Sequence, residues 1–145
     1  MLPRYHLITA LLPALILGFI KPIYGILFFI GTFFIDFDHY VLYVMAFKKY
    51  SLKSAAKFYP NKLRPYLKKT RVKVFLLFHN IEVFIILLAL SVYFPWAYPL
   101  FFGVSLHYLL DLCYDYTINK RFPREVSGIF YLFKKDKFSI KQISN

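Results

Sequence analysis

The sequence predicts an all-α integral membrane protein, a bundle of four spanning helices with a basic cytoplasmic loop and an amphipathic C-terminal tail. Three observations predict it. Of 145 residues, 59% are hydrophobic and 18% charged, with a mean hydropathy of +0.53. Soluble domains average about 45–50% apolar and about 25% charged. The apolar residues gather into four runs, Tyr5–Ile20, Pro22–Phe47, Val74–Phe94 and Trp96–Tyr114. The 19 Lys and Arg residues fall almost wholly in the segments on one side of those runs.

A helix needs about 20 residues to cross the ~30 Å hydrocarbon layer. The third and fourth runs fit directly. The first is short, and crosses by borrowing from Met1–Arg4 or by sitting in a thinned bilayer. The second has 26 residues and carries Asp36-Phe37-Asp38-His39 in its middle. Pro22–Ile35 plus that motif is the expected span, with Tyr40–Phe47 bending toward the interface. Lys21-Pro22 marks the first turn, since proline suits a helix start, and Pro95 and Pro99 mark the turn between the last two runs. Met1–Ile20 has the Arg and apolar core of a secretory signal but no small-x-small cleavage site, so an uncleaved helix is expected. Residues 1–118 are the expected spanning domain, with the loop at 48–73, and 119–145 form the basic tail. Ser51–Tyr59 reads as a short surface helix ended by Pro60, and Val126–Asn145 as an amphipathic interfacial segment.

Four spans place both termini and the 48–73 loop on one side. Arg4, ten basic residues from Lys48 to Lys73 and seven from Lys120 to Lys141 lie there, and Lys21 alone lies opposite. The positive-inside rule makes the loaded side cytoplasmic, in the cell (inner) membrane. The expected partners are membrane lipid and, at the basic loop, anionic headgroups. No nucleic-acid partner is expected, because aromatics beside the loop's lysines are ordinary at a membrane interface. High apolar content excludes a disordered basic tail. The single Cys113 excludes an internal disulfide, a CxxC pair and a thiolate zinc finger.

Chemistry enters with the polar residues inside the apolar runs. Four of seven acids (Asp36, Asp38, Glu82, Asp111) and three of four histidines (His39, His79, His107) lie there. Ionised groups at membrane depth are costly and face the bundle interior. At ~1.5 Å per residue they converge on one layer near the cytoplasmic surface, which His6 also enters. His107 and Asp111 are i,i+4, and Asp115 extends that stripe by another turn, into water. His79 and Glu82 are i,i+3, as are Asp36 and His39. Taken singly, an intramembrane histidine is a helix-to-helix hydrogen bond. Converging imidazoles and carboxylates instead suit a divalent metal, zinc or manganese. The candidate ligands are Asp36, Asp38, His39, His79, His107, Asp111 and His6, enough for two ions or for one ion and a free base. Glu82 and Asp38 are the candidate catalytic residues, Glu82 as general base or orienter. Haem would leave the carboxylates without a role. A non-enzymatic ion or proton path is the alternative, although Tyr24, Thr32 and Ser91 are the few polar residues above the cluster.

The motif order Tyr5-His6-Leu7, Ile35-Asp36-Phe37-Asp38-His39, Phe78-His79-Asn80-Ile81-Glu82 and Leu106-His107-Tyr108-Leu109-Leu110-Asp111 resembles the LexA-regulated, membrane-bound, metal-dependent hydrolases. The likeness covers roughly Met1 to Asp111. Ile35 stands where that family usually has Pro, and Val74-Phe75 where it carries a His-Arg pair. Arg71 and Lys73 are the basic residues available instead. The resemblance implies metal-dependent hydrolysis at the cytoplasmic face. The site's depth under a basic surface suits a lipid or lipid-linked phosphoester.

Overall fold

A computed structural model describes residues 3–70, 72–120 and 124–134. The chain is all-helical, and among the described residues there is no strand beyond an isolated bridge between Val74 and Arg124. Its helices are α1 (Pro3–Ile20), α2 (Pro22–Phe33), α3 (Phe37–Phe47), α4 (Leu52–Phe58), α5 (Arg64–Thr70), α6 (Ile81–Tyr93), α7 (Tyr98–Tyr114) and α8 (Gly128–Phe133).

Lys21 is extended and Pro22 opens α2, so the first turn falls where the sequence places it. The 26-residue run Pro22–Phe47 is the one helical run among the described residues long and apolar enough to cross a membrane. It is not uniform. A 3-10 turn at Phe34–Asp36 separates α2 from α3, so the Asp36–His39 motif sits on a break in the helix.

Helices α1 and α2 pack together, and α2 packs on α7 at very short range. Glycine permits that approach. A Cβ on Gly103 would lie 2.3 Å from the Phe28 carbonyl oxygen, and one on Gly31 would lie 2.4 Å from that of Leu100. Small residues at a helix crossing let two backbones come this close. Thr32 fills the same seam, its hydroxyl donating to the Phe28 and Gly103 carbonyls.

The third apolar run departs from expectation. Val74–Asn80 is not part of a long helix: it runs extended into a 3-10 turn at Leu77–His79, and α6 begins only at Ile81. Asn80, at φ −102° and ψ 149°, is the extended residue between them. The neighbouring segment takes up the freed backbone groups. Glu125 N–H donates to the Val74 carbonyl and Ile81 N–H to that of Val126, while the Tyr108 hydroxyl donates to Phe78 and Asn80. Irregular backbone of this kind is stable where protein covers it.

The basic loop is folded. Tyr43, Ala55, Phe58, Leu63, Leu67, Val74 and Leu76 form one buried cluster between α3, α4, α5 and the 74–76 strip, with the lysines outside. Ser51 caps α4, accepting from Ser54 N–H. The helix ends at Phe58, just before Pro60, and a wide turn at Tyr59–Leu63, with Pro60 at its start where the missing N–H costs little, carries the chain straight into α5. The tail is not separate either. Residues 124–134 lie against the body, with Glu82 accepting from the Ser127 hydroxyl and from the N–H groups of Gly128 and Ile129 at the start of α8. The rest of the expected interfacial tail, 135–145, lies outside the described residues.

On α1, α6 and α7 large apolar side chains face outward, while many polar groups lie inside. Ile8, Leu12, Ile16 and Phe19 of α1, Ile85, Ile86 and Val92 of α6, and Phe102 and Leu109 of α7 face outward. His6, Thr32, Asp38, His79, Asn80, Ser91, His107, Asp111 and Asp115 are buried.

Candidate metal centre

Three elements deliver four donors to one point. The 3-10 turn between α2 and α3 brings Asp36, the turn before α6 brings His79, and one face of α7 brings His107 and Asp111. These four offer ligand atoms all within 4.8 Å of one another. His79 Nε2 and His107 Nε2 are 3.1 Å apart. Each lies 3.6 Å from Asp36 Oδ1, and they lie 3.5 and 3.1 Å from Asp111 Oδ2. Zinc binds N and O donors at about 2.0–2.1 Å, so the edges of its tetrahedron are about 3.3 Å. The observed separations bracket that edge.

The imidazoles are oriented from behind. His107 Nδ1 lies 2.7 Å from the Thr32 carbonyl oxygen, which only accepts, so Nδ1 carries a proton and the neutral ring has its lone pair on Nε2. His79 Nδ1 lies 2.9 Å from Asp38 Oδ2, which also accepts from Phe78 N–H at 3.1 Å. In the neutral rings both Nε2 lone pairs therefore meet at the shared point. Outer partners of this kind fix tautomer and ring orientation in metal sites. Asp38, expected as a ligand and catalytic residue, thus stands behind His79. A second donor group, Asp38 with His39 and His79, shares that side of the ring.

His39 Nε2 is 3.3 Å from Asp36 Oδ1. His6 is fully buried, stacked on His107 at 4.1 Å, with Nε2 3.2 Å from Asp111 Oδ1 but not aligned for a hydrogen bond. All seven expected ligands therefore lie in or beside the cluster.

Glu82 does not. Extended Asn80 breaks the helical register between His79 and Glu82, so the expected i,i+3 face is absent and Glu82 turns to the start of α8. Its carboxylate is fully engaged there.

Sequence reasoning missed Arg124. Its guanidinium reaches Asp111 Oδ2 at 2.5 Å and Asp115 Oδ2 at 2.8 Å. Burial disfavours its charge, but Asp111 and Asp115 outweigh that and hold its pKa above the ordinary arginine value. Asp115, expected in water, is buried in this pair. Lys73 instead pairs with Glu125 at 4.0 Å, and Arg71 lies outside the described residues. No local pattern singles out Arg124 among the tail's cations, because its placement depends on the bridge to Val74. Beside the cluster, burial pushes the Tyr59 phenol above its usual range, and its ring lies 4.2 Å from that of His39.

The cluster can therefore hold a metal ion on two imidazoles and two carboxylates, with an arginine on one of the carboxylates. No family model, curated protein or solved structure matches the chain.

Proposed function

We propose that this chain is a four-span membrane hydrolase whose metal centre lies near the cytoplasmic face. The carrying observation is the set Asp36, His79, His107 and Asp111, with both histidine lone pairs directed at one point by Asp38 and Thr32. Charge supports it. Asp36, Asp38, Asp111 and Asp115 are buried or nearly so, while Arg124 offsets one charge, and a divalent cation offsets two more. Two nitrogen and two oxygen donors at tetrahedral spacing favour zinc over manganese, which prefers six oxygens.

The outward apolar faces of α1, α6 and α7 support the membrane reading, as does the burial of the polar groups. The basic loop and tail orient it with both termini cytoplasmic. The motif order, similar to that of the LexA-regulated membrane hydrolases, favours the same class.

A bound divalent ion would lower the pKa of a coordinated water toward ~7 and polarise a phosphoryl or carbonyl oxygen. The protein's own groups do the rest. Asp38 and Thr32 hold the imidazoles, and Arg124 holds Asp111. His39, beside Asp36 with an unpartnered Nδ1, replaces Glu82 as the group placed to accept a proton. Translocation is less favoured because Thr32 and Ser91 spend their hydroxyls on helix carbonyls instead of extending a polar path.

The test is metal analysis of protein purified without chelator, paired with reporter fusions. The expected result is a retained transition metal, with a reporter that is active only outside the cytoplasm silent inside Lys53–Lys69 and active near Lys21. A metal-free protein with intact helices overturns the enzyme reading. An active reporter within the loop overturns the orientation.

A further inference from the structure

A cavity of about 470 Å³ opens beside the metal centre, between the helix break at 34–37 and α4. Its volume falls within the ~300–1,000 Å³ of ordinary small-ligand sites. Phe34, Phe37, Leu52 and Ala56 belong to its wall, and the wall also includes Asp36 and His39. One stretch of lining is therefore part of the donor cluster, and the rest is almost wholly apolar. Phe34, Phe37 and Leu52 are more than 45% exposed, so the mouth is greasy as well.

We propose that this cavity takes one acyl chain of a membrane phospholipid and so presents the lipid's ester region to Asp36 and His39. The inference rests on the hydrolase reading for its purpose, but not for its physics. An apolar pocket has no use for a polar substrate, and a site whose ionisable wall is Asp36 and His39, with the phenols of Tyr40 and Tyr59 as its other polar groups, sorts a substrate end to end: chain in the cavity, ester at the donors. Position agrees. The helix break and the amphipathic α4 lie where the chain leaves the proposed membrane, which is the depth of a phospholipid's ester linkages. The basic loop that includes α4 draws anionic headgroups to the same place. The volume suits one straight chain better than a long, branched polyisoprenyl chain.

The experiment uses the full chain in nanodiscs containing phosphatidylglycerol that carries a photoactivatable group in one acyl chain, with labelled peptides mapped by mass spectrometry. Saturable labelling should concentrate on the 33–37 and 52–60 segments and be competed by unlabelled phosphatidylglycerol, and less well by a polyisoprenyl phosphate. Ala56→Trp, at an exposed position, should reduce that labelling about tenfold or more by displacing at least two methylenes of contact. His107→Ala should leave it intact, because chain binding needs no metal. Retained metal in Ala56→Trp shows that its fold is preserved, and Leu52→Phe on the rim serves if it is not. Unsaturable labelling spread evenly over α1 and α6 would overturn the proposal as ordinary annular lipid, as would unchanged labelling in the filled-cavity variants. Preferential displacement by the polyisoprenyl phosphate would overturn the acyl assignment. Loss of metal in His107→Ala with labelling unchanged separates the two readings.

Discussion

His79 and His107 face each other Nε2 to Nε2 at 3.1 Å, each with its Nδ1 against an acceptor on the far side of the ring. Thr32 holds the Nδ1 proton of one ring and Asp38 that of the other. Two lone pairs at this distance repel unless a proton or a metal ion lies between them. Asp36 Oδ1 and Asp111 Oδ2 close the same space.

If these four are co-ligands, His107→Ala and Asp111→Asn should each abolish metal retention and any hydrolytic activity. The double variant should lose little more, since residues acting as one unit are not additive. Metal content per chain is the readout. Full metal in His107→Ala would sink the assignment.

Asp38→Asn tests the support behind a ligand. The amide can still accept from Phe78 N–H, but it holds the His79 ring without charge. Metal affinity should fall about 10–100-fold, with the donor set still present. A chelator-competition titration measures it, and an unchanged affinity would mean that Asp38 does not orient His79.

Glu82→Gln separates a base from a brace. The carboxylate binds the start of α8, so the variant should keep its metal while residues 124–134 become more accessible to protease. Metal loss in this variant would place Glu82 in the centre after all.

Arg124→Ala leaves Asp111 and Asp115 buried without their cation. Breaking one side of a buried pair costs about 3–5 kcal/mol, so thermal stability should drop steeply. Asp115→Asn should cost much less, because Asp111 still holds the guanidinium. Equal losses in the two variants would contradict this hierarchy.

Gly103→Ala touches no donor. Its Cβ would meet the Phe28 carbonyl oxygen at 2.3 Å, forcing α7 away from α2 and His107 away from the Thr32 carbonyl. Metal retention should fall with the helices still formed, which metal analysis beside circular dichroism will show. Unchanged metal content would mean that the helix seam does not set the ligand geometry.

The sequence by itself determined the helical class, the turn at Lys21-Pro22, and which acids and histidines are too costly to leave in an apolar run. Those features follow from local composition and from periodicity within one helix, as with His107 and Asp111 on α7. Tertiary structure decided what lies between elements. Asn80 is extended because segment 124–126 and Tyr108 satisfy the backbone around it, partners 28 to 46 residues away. That single residue turns His79 toward the metal centre and Glu82 away from it. Arg124 enters the site for the same reason, carried by a bridge to Val74. Periodicity reads one helix at a time, and hydrogen bonds between distant segments leave no period to read.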